Sequence, residues 1–220
     1  IKRGIAIVAA AGIIASGAAP AFADAYGIAV YGNYNLKQGD IYVEVKDGKH
    51  YVKQVTGLDD EGNEEYAEVD GKKLDGTYED KDGWVNITSD GEETTNVVDI
   101  KTAADNTADI RLSDVNINGI DRVHPGKNEN SREDSAAVKV SGAGTTNIEV
   151  NGDNKLIGPP NMGGGHAGLE FNAEDDGVKN GTLNINDNDK DGGKLYVEGN
   201  GGAAIGGSGS HGTTKNGSDS

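Results

Sequence analysis

The stretch AAVKVSGAGTTNIEVNGDNKLIG (136–158) holds three short apolar runs, Val138/Val140, Ile148/Val150 and Leu156/Ile157, separated by glycine and polar turns. Each run is too short to fold alone, and its period-2 alternation places one set of side chains on one face. Working outward, VVDIKTAADNTADIRLSDVNING (97–119) has the same length and the same beats, Val98/Ile100, Ile110/Leu112 and Val115/Ile117, and superimposes on it without a gap. AGLEFNAEDDGVKNGTLNINDNDKDGGKLYVEG (167–199) repeats them with insertions at the turns as Leu169/Phe171, Leu183/Ile185 and Leu195/Val197, and a further unit opens at AAIGG (203–207). Equal strands recurring in threes are the mark of stacked coils, each burying its inward Val, Ile and Leu against the coils above and below. The pattern predicts an all-β chain folded as a parallel β-helix, a solenoid. The alternative, an antiparallel β-sandwich, has no need of strands repeated in groups of three. The predicted continuous core is Val138, Val140, Ile148, Val150, Leu156, Leu169, Phe171, Leu183, Ile185, Leu195 and Val197.

Composition agrees with thin coils. Only 34% of the 220 residues are apolar, with one Trp and two Phe, so a thick aromatic core is not expected. Gly is abundant at 35 residues and Pro scarce at 4, which suits many tight β-turns. The formal net charge of −17 repels phosphates, so it argues against nucleic acid and anionic membrane surfaces as partners, and it favours divalent cations. Without cysteine there are no disulfides and no thiolate metal sites.

Residues 1–23 carry Lys2 and Arg3, an apolar run GIAIVAAAGIIASGAA, Pro20 and the triplet Ala21-Phe22-Ala23. They read as a secretory signal peptide cleaved before Asp24, the apolar run being marginal for spanning a bilayer. The chain is therefore expected to be secreted or displayed at the cell surface, with no membrane attachment left in this segment after cleavage. Residues 24–90 read as an N-terminal β cap region, including a hairpin DIYVEVKDGKHYVKQV (40–55) over an Asp47-Gly48 turn. WVNITSDG (84–91) reads as an incomplete first coil, 91–220 as the coils proper, and the stack as C-terminally incomplete at Ser220. Seven of the eight Tyr and the only Trp lie between positions 26 and 84. They suit a cap over the first coil, because Tyr and Trp cover apolar edges while keeping a polar end wet. Alternatively Tyr34, Tyr42, Tyr51 and Trp84 form a platform that stacks on sugars. The acidic run DDEGNEEYAEVDG (59–71) reads as a solvated loop.

One constellation has metal-ligand spacing. Asp187, Asp189 and Asp191 alternate, Gly192 lets the chain turn, and Glu198 follows to close an oxygen shell around Ca²⁺. The flanking GTLNIN and KLYVE are strand-like, so an acidic turn between two strands is the competing reading. Nucleophile-elbow and zinc-protease motifs are absent, and GNGGAA (199–204) lacks the helix a phosphate loop needs. His124, Arg122, Arg132 and His166 sit near turn-rich insertions and read as ordinary loop residues. For a calcium-dependent polysaccharide lyase, which needs a base to remove a proton α to a uronate carboxylate, Arg111 is the only strand-borne Arg. It alternates with Ile110 and Leu112 and so faces outward, on a different flank from the acidic turn.

The strings NIEVNGDNKLIG, HAGLEFN, GTLNIN and KLYVEGNGGAAIGGSGS resemble the Gly-rich repeats of pectate-lyase-like β-helix proteins, secreted or surface-displayed by Gram-positive gut bacteria, and the carbohydrate-binding β-helix family. The similarity covers roughly residues 84–210. The resemblance implies a right-handed helix, an extracellular location, calcium, and a polysaccharide or cell-wall glycan as partner. It transfers no binding residue, because the matching positions are turns and core. The expected function is a non-catalytic, carbohydrate-binding or adhesin-like surface module, with a purely structural stalk and the lyase as the alternatives.

Overall fold

A computed structural model of the chain describes residues 32–81, 83–119, 135–159, 166–172, 181–188 and 192–207. The expected signal peptide at 1–23 lies outside them. The described chain is all-β with mostly parallel sheets. In order it forms β1 (Asn33–Asn35), a single 3-10 turn (Leu36–Gln38), β2 (Asp40–Lys46), β3 (Lys49–Leu58), β4 (Glu64–Tyr66), β5 (Glu68–Val69), β6 (Lys72–Lys73) and β7 (Asp75–Asp80). There follow β8 (Val85–Thr88), β9 (Glu93–Thr94), β10 (Val98–Thr102), β11 (Thr107–Ser113), β12 (Asn116–Asn118) and β13 (Val138–Ser141). The last are β14 (Thr145–Asn151), β15 (Asp153–Ile157), β16 (Leu169–Asn172), β17 (Thr182–Asn186), β18 (Lys194–Glu198) and β19 (Ile205–Gly206). Among these residues no helix is long and apolar enough to cross a membrane.

From β8 onward the strands are dealt to three parallel ladders in strict rotation. The first sheet runs β1-β8-β11-β14-β17, the second β9-β12-β15-β18, and the third β2-β10-β13-β16-β19. Each round of three strands lies beside the previous round in the same register sense, so Val98 stands opposite Val138 and Ile110 opposite Ile148. β-branched residues dominate the inward positions, where a pleated half-buried surface favours them. Val138 and Val140 are buried while Lys139 between them is not. One hydrophobic cluster joins inward residues of all three sheets, from Tyr34 and Ile41 through Ile87, Ile100 and Ile117 to Leu156 and Leu169. The predicted core holds from Val138 to Leu169, and Phe171, Leu183, Leu195 and Val197 pack against it partly buried. Ile185 departs from the expectation at 36% exposure, because β17 is the last described strand of its sheet and has a neighbour on one side only.

The gapless superposition of units 97–119 and 136–158 needs correction. Five residues separate Lys101 from Thr107 but three separate their partners Ser141 and Thr145, and two separate Ser113 from Asn116 where three separate Asn151 from Lys155. The turns absorb the differences, and the strands keep their facing, since a one-residue slip inside a strand would turn its apolar set outward.

The parallel pairing also reaches ahead of residue 90. β1 pairs parallel with β8, and β2 pairs parallel with β10, so the rotation begins at Asn33 with the 3-10 turn standing in for a second-sheet strand. What covers the end is the insertion β3–β7. β3 pairs antiparallel with β2 through the expected turn, where Asp47 and Gly48 both have positive φ (53° and 70°), and carries β4 and β7 on its other edge. Buried Gln54 ties it down, its amide donating to the Asn35 carbonyl at 2.7 Å. Buried His50, opposite Asp80 on β7, accepts at Nε2 from the Asp109 amide at 3.2 Å and so latches the insertion to β11. Burial holds the His50 pKa below its ordinary value of 6.5, against the opposing pull of Asp80 and Asp109.

Candidate functional site

Between the first and second sheets three successive rounds turn a corner on a left-handed residue, Asp90 (φ 56°), Asp114 (φ 51°) and Gly152 (φ 68°). The corners stack by hydrogen bonds. Gly91 N donates to Asp114 O at 2.7 Å, Asp114 N to Asn151 O at 3.2 Å, and Lys194 N to Gly152 O at 2.7 Å. Asp and Gly tolerate this backbone where most residues resist it. Gly152 is required for a second reason, since a Cβ there would lie 2.3 Å from Asp114 Oδ1, the acceptor for the Asp153 amide.

Beside this corner the second sheet presents its outward residues. Ile117, Leu156 and Val197 turn into the core, which leaves Asn116, Lys155 and Tyr196 in register on the other face, with Asp153 opposite Lys194. Corner and face together make an open groove of about 720 Å³ lined by Asp90, Gly91, Asp114, Asn116, Asp153, Asn154, Lys155, Lys194 and Tyr196. Tyr196 is 55% exposed, and its hydroxyl donates to Glu198 Oε2 at 2.7 Å, a bond that raises the phenol pKa and keeps it protonated. Lys194 Nζ meets Asp153 Oδ1 at 3.0 Å, but both side chains are about three-quarters exposed, so the pair orients more than it stabilises. Asn35 donates to Asp90 Oδ2 at 2.7 Å, fixing the far end. The arrangement can stack one ring on an aromatic face and offer carboxylate, amide and ammonium groups to a polyhydroxylated ligand.

The N-terminal aromatic platform does not assemble. Tyr34 is 1% exposed, a core residue whose hydroxyl donates to buried Asp80 at 2.9 Å. Its alternation with Asn33 and Asn35 turns it inward, against the expectation that it meets a sugar. Tyr42 and Tyr51 are half-buried on the outer face of the third sheet, and a lysine already lies over each ring, Lys53 Nζ at 4.5 Å and Lys46 Nζ at 5.2 Å from the centres. Trp84 precedes β8 of the first sheet, with the Arg111 guanidinium 5.4 Å from its ring centre. The aromatic residue the sequence reading passed over is Tyr196. The signal was present in KLYVE, where Leu195 and Val197 point in and Tyr196 must point out.

Arg111 does leave the core side of β11, standing between Asn86 and Glu149, yet it is only 8% exposed and donates to Asn86 Oδ1 at 3.4 Å. The described start of the acidic turn approaches the same sheet. Asn188 donates to the buried Glu149 carboxylate from its backbone and, at 2.8 Å, from its side chain, so the start of that turn comes to the register neighbour of Arg111. Of the calcium constellation, Asp189 and Asp191 lie outside the described residues and Asp187 is exposed. Glu198 ends β18, roughly 13 Å along the strand from Lys194 at the usual rise per residue, and accepts from the Tyr196 hydroxyl. Among the described residues no three His, Asp or Glu are grouped to hold a metal. His124, Arg122 and Arg132 also fall outside, whereas His166 places Nδ1 3.1 Å from Glu170 Oε2.

Compared with protein-family models, curated proteins and solved structures, the chain matches none.

Proposed function

We propose that this chain is a secreted or cell-surface, non-catalytic carbohydrate-binding module, adhesin-like, built as a right-handed parallel β-helix with an N-terminal β cap. The rotation of strands through three parallel ladders around one apolar cluster supports the helix, since each round then adds one coil. The cap is the β3–β7 insertion. The single observation that carries the function is the groove beside the second sheet, where the exposed ring of Tyr196 stands among Asn116, Asp153, Lys155 and Lys194. Amphipathic rings suit the apolar faces of sugars, and flanking carboxylates and amides suit their hydroxyls. The burial of Arg111 beneath Trp84 and Asn86 weighs against its serving as the base of a lyase.

Titration calorimetry against soluble extracellular and cell-wall glycans tests the reading. Binding of at least one glycan, lost in Tyr196→Ala with an unchanged melting temperature, is expected. A complete absence of glycan binding by the parent chain would leave the structural stalk as the better account.

A further inference from the structure

The groove is longer than one sugar, and its parts differ in chemistry along its length. Its lining comes from four successive strands of the second sheet: Asp90 and Gly91 just ahead of β9, Asp114 and Asn116 at β12, Asp153 to Lys155 on β15, and Lys194 and Tyr196 on β18. Adjacent strands lie about 4.8 Å apart, so the lining spans roughly 14 Å across the rounds, several sugar rings in length. Each of these four rounds, at its corner or on its strand, contributes a hydrogen-bonding side chain. Tyr196 alone contributes an aromatic face, and it sits at one end.

The charge along this path is unsuited to an acidic polymer. Asp90, Asp114 and Asp153 face Lys155 and Lys194, and Lys194 is already shared with Asp153. Glu93, in register with Asn116, and Glu198, bonded to Tyr196, add two more carboxylates at the margins, on a chain whose formal net charge is −17. A uronate chain would bring one carboxylate per sugar into this field, whereas a chain bearing hydroxyls alone meets acceptors that bind it without repulsion.

We infer that the groove takes an uncharged oligosaccharide chain laid across the rounds, anchored by one sugar on Tyr196 and extended over hydrogen-bonding subsites toward Asp90; this rests on the carbohydrate-binding reading above. Hydrogen bonds to sugars are individually modest, so affinity accumulates with chain length until the four strands are covered.

The test is calorimetry with neutral oligomers of two to six units from a glucan, mannan, xylan and galactan, beside polygalacturonate. In the series that binds, affinity rises about tenfold from the shortest to the four-unit oligomer and then levels, a change equal to one or two added hydrogen bonds. Affinity stays flat between about 50 and about 500 mM NaCl, because no ion pair is formed. Tyr196→Ala removes binding at every length. Asp90→Gly, which suits the left-handed corner, weakens only the oligomers long enough to reach it. Equal affinity for short and long oligomers, or Tyr196-dependent binding of polygalacturonate that weakens with salt, overturns the inference while leaving carbohydrate binding intact. Failure of every glycan, neutral and acidic, removes both.

Discussion

The two ends of the strand rotation are treated differently. At the first, Tyr34, Leu36, Ile41, Val52 and Leu74 are no more than 1% exposed, because β3 and its partners extend and cover the sheet. In the last described round the inward Ile185 and Ile205 are 36% and 49% exposed, and Leu183, Leu195 and Val197 are only partly buried. The local pattern of alternating apolar residues is the same at both. Burial is therefore a property of having a neighbour on each side, and a side chain's role depends on its round as well as on its alternation. Among the aromatics, Tyr34 is packed in the core and Tyr42 and Tyr51 each lie under a lysine, whereas Tyr196 stands exposed on the outer face of β18.

Substitutions at matched positions should break this contrast if it is wrong. The largest effect is expected for Val140→Asp. Val140 is 1% exposed between Ile100 and Phe171, and an unpaired carboxylate there costs on the order of 3–5 kcal/mol. The same change at Ile185 should cost about 1 kcal/mol or less. Urea denaturation of the two variants measures the difference, and equal losses would mean the last round is as buried as the middle.

A smaller effect is expected from removing a hydroxyl. Tyr34→Phe takes a donor from buried Asp80 and should destabilise by about 1–3 kcal/mol. Tyr196→Phe, losing a bond made in solvent, should stay within about 0.5 kcal/mol. A Tyr34→Phe variant that melts with the parent would show that the packing of β1 on β7 does not depend on this bond.

The smallest concerns the bond that joins His50 to β11. Because burial lowers the His50 pKa, the unfolded chain takes up the proton first as pH falls. The contribution is fully present above about 6.5 and is lost below it, with a slope no steeper than about 1.4 kcal/mol per pH unit. Stability measured between about pH 7 and pH 5 should therefore fall more steeply for the parent than for His50→Gln. Parallel curves would remove His50 from the account.

The repeat in 97–119, 136–158 and 167–199 was legible because period-2 alternation is a local property of the chain, and so were the Asp47-Gly48 hairpin and most of the core. The first round was not legible. The β3–β7 insertion separates β2 from β8 in sequence, so Asn33–Lys46 carries no adjacent copy of itself to compare with. Alternation also put Tyr196 outside and Arg111 off the core face, but exposure is set by what other segments lay over a face. Asn86 and Trp84 close over Arg111, and Asn188 closes over Glu149. The sequence by itself determined which side of each strand seeks apolar contact, because that follows from pleat geometry and hydrophobicity alone. Which Tyr is exposed, and which carboxylates line one groove, was decided only when strands distant in sequence were set side by side at about 4.8 Å, since Asp90, Asp114, Asp153 and Tyr196 share no local pattern and meet solely through the stacking of successive rounds.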